Sequence, residues 1–360
     1  MKVAFWLTML RRGLKRSNIS GQLMVNKKAA PRVDTVRLQN LSRAFIGTAS
    51  LFAAIDLELF TAIHQGDNTV DAFARRSKIR LVNAERIMTM CAAAGLITWQ
   101  ADHYINAEDV NRFLVKGEKG YAGPWLMFTR GAWGKWGQLT ELLKSQESAT
   151  VIGSYKNMTV EAARRYHEAT ASVGFGSGRR FVRQVGLSGK RRMLDLGGGS
   201  GAYSIVAVQN NPELSAVVLD LPPVVEITRE FIEKNAVVGR VDTIPGDFTR
   251  TAFPQDCDVA VMASNLPQYS RDIIQQVVTK TYDALLPTGE MHLIGEMLDD
   301  DRAGPLDAAL WGLYEVISNS TGITHSRSDC VGYFKAAGFV DVTVNEFIPG
   351  ILVRVSGRKG

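Results

Sequence analysis

The sequence predicts an α/β protein, in which an all-helical, winged-helix-type N-terminal domain precedes a Rossmann-like domain built on a seven-stranded, mainly parallel sheet. Three observations predict it. From Arg192 onward, short apolar runs alternate with amphipathic helical stretches, the pattern of a parallel sheet covered on both faces. Before that, helical segments lead into two short strands. Finally, only Ile348-Pro349-Gly350 separates the last two strands, a hairpin-length link, so the final strand must run antiparallel.

A chain of 360 residues has room for two or three folded units. With 46% apolar and 22% charged residues it can bury a large core without staples. Cys91, Cys257 and Cys330 are scattered, with no CxxC pair and no Cys/His metal spacing. They read as free thiols in a reducing, cytoplasmic setting, and no metal site is expected. The net charge of +6 is lopsided: the first 50 residues hold ten Lys/Arg against one Asp, so the remainder is net acidic. A basic surface for nucleic acid is therefore not expected on the folded body. Val3 to Leu10 is apolar and is followed by Arg11, Arg12, Lys15 and Arg16. A secretory signal has the opposite order, and the run is too short to cross a bilayer. It could lie on a membrane surface. A helix packed on a partner subunit, or a loose tail, is the plainer reading.

The boundaries read as a basic extension over residues 1–35, a winged-helix domain over 36–118, a helical connector over 119–185 and the α/β domain over 186–360. Residues 38–63 carry apolar side chains at helical spacing and form one or two helices. TVDAFARRSKI is a short helix capped by Thr69 or Asp71. Residues 82–94 form the next helix and stop at Gly95. LITWQADHYINAEDV then reads as two short strands around a polar turn. Such a domain can read DNA with its last helix. Here that helix pairs Arg80 and Arg86 with Glu85 and has an apolar middle, so packing into a dimer is expected instead. In the connector, Tyr121, Trp125, Phe128, Trp133 and Trp136 are interleaved with glycines, which suits a pocket wall or a packed connector.

In the α/β domain, MLDLG, AVVLD, VDTIPGD, DVAVMAS, EMHLIGE, VDVTVNEF and ILVRVSG are the seven strands. Helices are expected over 201–209, 224–235, 272–286, 306–319 and 327–337. LDLGGGSGAYS sits where the first strand turns into a helix. Its glycines let backbone approach a ligand and present amides at a helix start. Asp195 is at that strand end, Asp220 ends the second strand and Asp247 the third. A carboxylate at Asp220 can accept both hydroxyls of a ribose. Asp247 can accept from an adenine amine, with Phe248 stacked on the ring. Gly197, Gly199 and Ala202 also fit the dinucleotide fingerprint. Three acids at successive strand ends favour a cationic adenosyl ligand, S-adenosylmethionine (SAM), over a pyrophosphate.

From about Val36 to the end, the chain resembles the SAM-dependent O-methyltransferases that join a winged-helix dimerisation domain to a class I methyltransferase domain. DLGGGSG, LDLP, GDF, LPQYSRD, YDALLPTGE and KAAGF fall in that family's order and spacing. The resemblance implies SAM contacts at Gly197, Asp220, Asp247 and Phe248; Asp195, Gly199, Leu221 and Ser264, beside them at the strand ends, are further candidates. It places Tyr166, His167 and Thr170 on a helix that caps the methionine end of SAM. It also implies a homodimer in which each N-terminal domain helps close its partner's pocket, and a small-molecule acceptor.

One departure matters. Where plant members of the family carry a catalytic histidine, counting back from YDAL puts Pro267, followed by Gln268 and Tyr269. Neither Pro nor Gln is a general base, and a missing base forfeits about 10² to 10⁴ in rate. A thioether sulfur carries no proton to remove. The favoured acceptor is therefore a thioether hydroxy acid, as in the relatives that S-methylate 4-methylthio-2-hydroxybutyrate for dimethylsulfoniopropionate. The alternatives are O- or C-methylation of an aromatic or cyclic metabolite, and a winged-helix regulator that senses SAM. Glu296, near a position that orients the base in the family, joins Gln268 and Tyr269 as the candidate catalytic group. Trp125, Phe128, Trp133, Trp311 and Tyr314 are candidates to face the acceptor, and His167, Arg271, His325 and Arg327 to hold its carboxylate.

Overall fold

In a computed structural model, residues 33–360 are described. The basic stretch before them, with its apolar run from Val3 to Leu10, lies outside the described residues. Two compact units are present, one ending at Thr48 and one spanning Ala49–Gly360. Helix α1 (Val36–Asp56) begins in the first. Leu38, Leu41 and Phe45 are each more than half exposed there and fall at i, i+3 and i+7, one stripe of a helix.

In the second unit, α2 (Leu59–His64), α3 (Val70–Ser77) and α4 (Leu81–Ala93) precede a ribbon of β1 (Ile97–Gln100) and β2 (His103–Asn106). The Thr69 hydroxyl caps α3, accepting from the Ala72 amide at 3.2 Å. Gly95, at φ +73°, ends the turn after α4. Ala101 and Asp102 both take positive φ, the twist that a two-residue hairpin turn requires. Phe60, Phe73, Met88 and Ile97 fill the centre of this layer. Residues 108–110, read from sequence as the tail of the second strand, open a helix instead, α5 (Glu108–Leu114). Glu108 and Asp109 in its first turn suit the positive end of the helix dipole.

The connector holds the short helices α6 (Gly123–Leu126), α7 (Trp133–Trp136) and α8 (Leu139–Lys144), then the long α9 (Val160–Gln184), capped by Thr159. The sheet follows: β3 (Arg192–Leu196), α10 (Ala202–Asn210), β4 (Ser215–Asp220), α11 (Pro222–Lys234), β5 (Val241–Pro245), β6 (Cys257–Ala263), α12 (Arg271–Ala284) and β7 (Leu285–Gly295). It closes with α13 (Leu306–Ser318), α14 (Arg327–Ala337), β8 (Phe339–Ile348) and β9 (Leu352–Lys359).

The strand order is β5-β4-β3-β6-β7-β9-β8. Strands β3 to β7 pair parallel, and β9 runs antiparallel to both β7 and β8. This is the Rossmann-like sheet expected, with its last strand reversed by the short hairpin. Strand order changes direction at β3, between β4 and β6, and that switch point opens a crevice at the strand ends.

Alternation along each strand feeds two apolar layers. Leu194 and Leu196 face one layer with Met262, Leu293, Val278 and Phe334. Met193 faces the other, with Val218, Val259, Ile205 and Phe181. Cys91, Cys257 and Cys330 are buried free thiols, and burial raises Cys91 to about 11 and Cys257 to about 12. Among the described residues, no helix is long and apolar enough to cross a membrane, and no cluster of His, Cys, Asp or Glu could hold a metal.

Candidate active site

A cavity of about 580 Å³ lies at the carboxyl ends of β3, β4 and β6. Its first end is built from the turns after β3, β4, β5 and β6. Gly197 and Gly199 have φ of +64° and +58°, which only glycine adopts cheaply. Space forbids a side chain as well. A Cβ at Gly197 would stand 2.6 Å from the Asn265 amide nitrogen and 3.0 Å from the Phe248 ring. At Gly199 it would stand 2.6 Å from the His167 ring.

Asp220 holds the turn in place. One carboxylate oxygen accepts from the Gly199 amide at 2.8 Å and the other from the Leu221 amide at 2.7 Å. Burial raises its pKa to about 6, against the pull of those two amides. Asp247 accepts from the Thr249 amide and hydroxyl at 2.9 and 2.7 Å. Phe248 is buried beside it, 5.1 Å from the Tyr269 ring. Asn265, which the sequence reading missed, ties the turn to the next strand. Its side-chain amide donates to the carbonyls of Leu196, Gly197 and Ala263 at 3.1–3.2 Å. Gly197, Gly199, Asp220, Leu221, Asp247, Phe248 and Ser264 all line this end, as do Tyr166, His167 and Thr170 of α9.

The second end is aromatic. Trp125 and Phe128 stack at 5.7 Å, Phe128 meets Trp311 at 6.4 Å and Tyr166 at 5.3 Å, and Trp311 meets Tyr314 at 5.6 Å. Gln268 also lines it and donates to the Tyr155 hydroxyl at 3.2 Å. Tyr155 was absent from the sequence reading, as was Glu315, which reaches the cavity from α13. Glu296 lines the cavity from the end of β7, and burial raises its pKa. Tyr269 lines it too, with its phenol pushed well up by burial.

Five expected site residues lie elsewhere: Asp195, Trp133 and His325, and the two arginines Arg271 and Arg327. Asp195 is buried beneath the glycine turn, where a Cβ on Gly198 would touch its carboxyl group, and it accepts from the Ser204 hydroxyl at 2.7 Å. Alternation puts it on the same sheet face as Met193, in the apolar layer, and burial raises its pKa to about 7. Trp133 is 40% exposed and packs edge-on against Phe52 at 5.8 Å. His325 is fully buried as a strut: Nδ1 pairs with the Tyr333 hydroxyl at 2.8 Å and Nε2 with the Tyr269 carbonyl at 3.0 Å.

Nor is there an imidazolium for an acceptor's carboxylate. Burial lowers both His167 and His325 to about 4, so both are neutral at physiological pH. Arg271 and Arg327 pair with Asp329 and Asp299 and do not line the cavity. Lys135 is the one Lys or Arg among the lining residues, and its ammonium donates to the Ile317 carbonyl at 3.0 Å.

The donor end fits SAM by its own chemistry. A side-chain-free cradle lies under Gly197 and Gly199, two carboxylates stand at strand tips, and an aromatic ring flanks the second. A cation with hydroxyls and an adenine is matched by such a set, and a pyrophosphate is repelled by it.

The sequence pattern of an O-methyltransferase domain matches residues 145–340, and that of an O-methyltransferase dimerisation domain matches residues 39–116. The chain belongs to the O-methyltransferase family. This enzyme is a methyltransferase and its cofactor is SAM. Among its relatives is the 3-hydroxy-5-methyl-1-naphthoate 3-O-methyltransferase of Streptomyces sahachiroi, 31% identical over 89% of this chain and 94% of the relative. The tetracenomycin polyketide synthesis 8-O-methyl transferase of Streptomyces glaucescens is 26% identical over 89% and 95%. Human N-acetylserotonin methyltransferase, solved in complex with SAM, shares the fold with a TM-score of 0.77 at 21% identity, covering 92% of this chain and 99% of that one. The dimerisation domain supports a homodimer acting on a small-molecule acceptor, and the dinucleotide and SAM-sensor readings fall away.

Proposed function

We propose that this methyltransferase moves the methyl group of SAM to a hydroxyl on a small aromatic or fused-ring metabolite. The observation that carries the reading is the aromatic lining of the second end, in which Trp125, Phe128, Trp311 and Tyr314 offer ring faces to a flat acceptor. The two bacterial relatives act, by their names, on hydroxyls of a naphthoate and of a polyketide. The S-methylation reading loses its support. A thioether hydroxy acid would need a cation for its carboxylate, and the residues expected to supply one are neutral or paired away from the cavity.

In this reading Asp220 accepts from the ribose hydroxyls, Asp247 and Phe248 hold the adenine, and the Gly197–Gly199 turn with Tyr166, Thr170, Leu221 and Ser264 surrounds the rest. SAM supplies an electrophilic methyl group. The protein's part is to hold the acceptor oxygen in line with it, about 3 to 3.5 Å away, with water kept out. Gln268, Tyr269 and Glu296 line the same cavity. The enzyme works as a dimer, seated partly through the Leu38, Leu41 and Phe45 stripe.

A transfer assay with radiolabelled SAM and three acceptor groups tests this: hydroxynaphthoates, hydroxylated polycyclic ketones and thioether hydroxy acids. Label should enter the first two. Label entering only the thioethers overturns the proposal.

A further inference from the structure

Resting on that O-methylation reading, we propose that the Glu315 carboxylate is the general base that takes the acceptor's hydroxyl proton. It thereby does what Pro267 and Gln268 cannot. Glu315 is 7% exposed, sits in the last turns of α13 and lines the cavity one residue after Tyr314. Ser320, on the turn after the helix, donates its hydroxyl to Oε2 and its amide to the Glu315 carbonyl. Oε1 accepts no hydrogen bond among the described residues. One oxygen is thus fixed and the other left for a ligand.

The location is the telling part. Gly322, two residues beyond Ser320, lies flat on the turn that carries Pro267 and Gln268; a Cβ there would come within 2.7 Å of the Gln268 carbonyl carbon. Ser320, which holds the carboxylate, thus belongs to the same short segment that packs on Pro267, where the family's histidine would stand, and Glu315, Pro267 and Gln268 line one cavity. Glu296 lines the same cavity from the end of β7, but its charge acts on Tyr166 and Tyr203, whereas that of Glu315 acts on Tyr155 and Tyr269.

Burial raises Glu315 to about 7, with the Ser320 bond pulling the other way. A base is most effective near the working pH. The other titratable groups around it are poorly matched. Tyr155, Tyr269 and Tyr314 are all pushed up by burial. On the packed α8, Glu141 and Lys144 pair with each other at 3.9 Å, and Lys135 is held by the Ile317 carbonyl.

The step balances. The acceptor's O–H proton passes to Oε1, and an oxygen lone pair takes the methyl carbon. The methyl C–S bond breaks with its electrons left on sulfur. The products are a methyl ether, the neutral demethylated donor and a protonated Glu315 that returns its proton to solvent.

The experiment compares parent enzyme, Glu315→Gln, Glu296→Gln and Ser320→Ala on 2-naphthol and on a nitro analogue already ionised at neutral pH. We expect Glu315→Gln to lose about 10²- to 10⁴-fold in kcat on 2-naphthol. It should lose the rising limb near pH 7, keep its SAM affinity by calorimetry, and recover most of its rate on the ionised analogue. Ser320→Ala should shift the limb to higher pH, because a donor to the carboxylate has been removed. The proposal is overturned if Glu315→Gln keeps the limb and stays within tenfold of the parent, if the limb disappears in Glu296→Gln instead, or if the loss is as large on the ionised analogue. A parent enzyme that methylates neither naphthol overturns the O-methylation reading, and the inference with it; a parent that does while Glu315→Gln is unimpaired sinks the inference alone.

Discussion

The two ends of the cavity are built differently. The donor end consists of strand tips and the turns that leave them, and its key contacts are backbone amides held by Asp220 and Asp247 and backbone carbonyls held by Asn265. The acceptor end consists of side chains from α6, α9, α13 and the 3-10 turns between, and its contacts are rings. A sheet fixes strand tips to one another, so the donor end can demand one ligand. Packed rings impose a shape and a polarity, so the acceptor end can be refitted by changing a few side chains. This contrast explains how one family can keep a single donor while its members differ in acceptor.

The contrast can be broken or sharpened by four measurements. Asp220→Ala should have the largest effect. It removes the anchor of the Gly199 amide and, in the proposed complex, two charge-assisted bonds to the ribose, for about 3 kcal/mol or a roughly 100-fold rise in the SAM dissociation constant by calorimetry. Unchanged affinity would mean the donor end is not where we place it. Next comes pH. Ionised Asp220 accepts through both oxygens, whereas protonation turns one into a donor and removes the charge, and burial sets its pKa at about 6 in the free enzyme. SAM affinity should thus hold above pH 6 and fall as pH drops through it, by about tenfold per unit. A flat profile between pH 5 and 7 would contradict the assignment. Trp311→Ala should raise the acceptor KM by about tenfold, from roughly 1.5 kcal/mol of lost ring contact, and leave SAM affinity alone. A matching loss at both ends would show that the two are not separable. Smallest of all, Trp133→Ala should lower the melting temperature slightly through its Phe52 contact and leave kcat/KM within about twofold.

Legibility in the sequence follows the same divide. That Gly197, Gly199, Asp220 and Asp247 meet at one cavity was readable because each sits at a strand end marked by its own neighbours. The reversed last strand was readable from a three-residue link. The strand order was not, since nothing in a linear pattern says which strands pair. Asp195 was misplaced although alternation with Leu194 and Leu196 held the answer: a residue between two that face one layer must face the other. Trp133 and His325 were chosen by residue type alone, and type does not say whether a ring turns to a cavity or to a neighbouring helix. Glu315 was overlooked inside LDAALWGLYEVIS, where a carboxylate in an otherwise apolar helix was the available signal. Asn265 offered less, because its role depends on carbonyls from β3 and β6 meeting in space.

The buried thiols have a practical consequence. At neutral pH Cys91, Cys257 and Cys330 are protonated and walled off, so maleimides and iodoacetamides should find nothing to react with. A cysteine placed at Leu143, which is 59% exposed on α8, would then be the sole labelling handle in the whole chain, with no native residue to remove first.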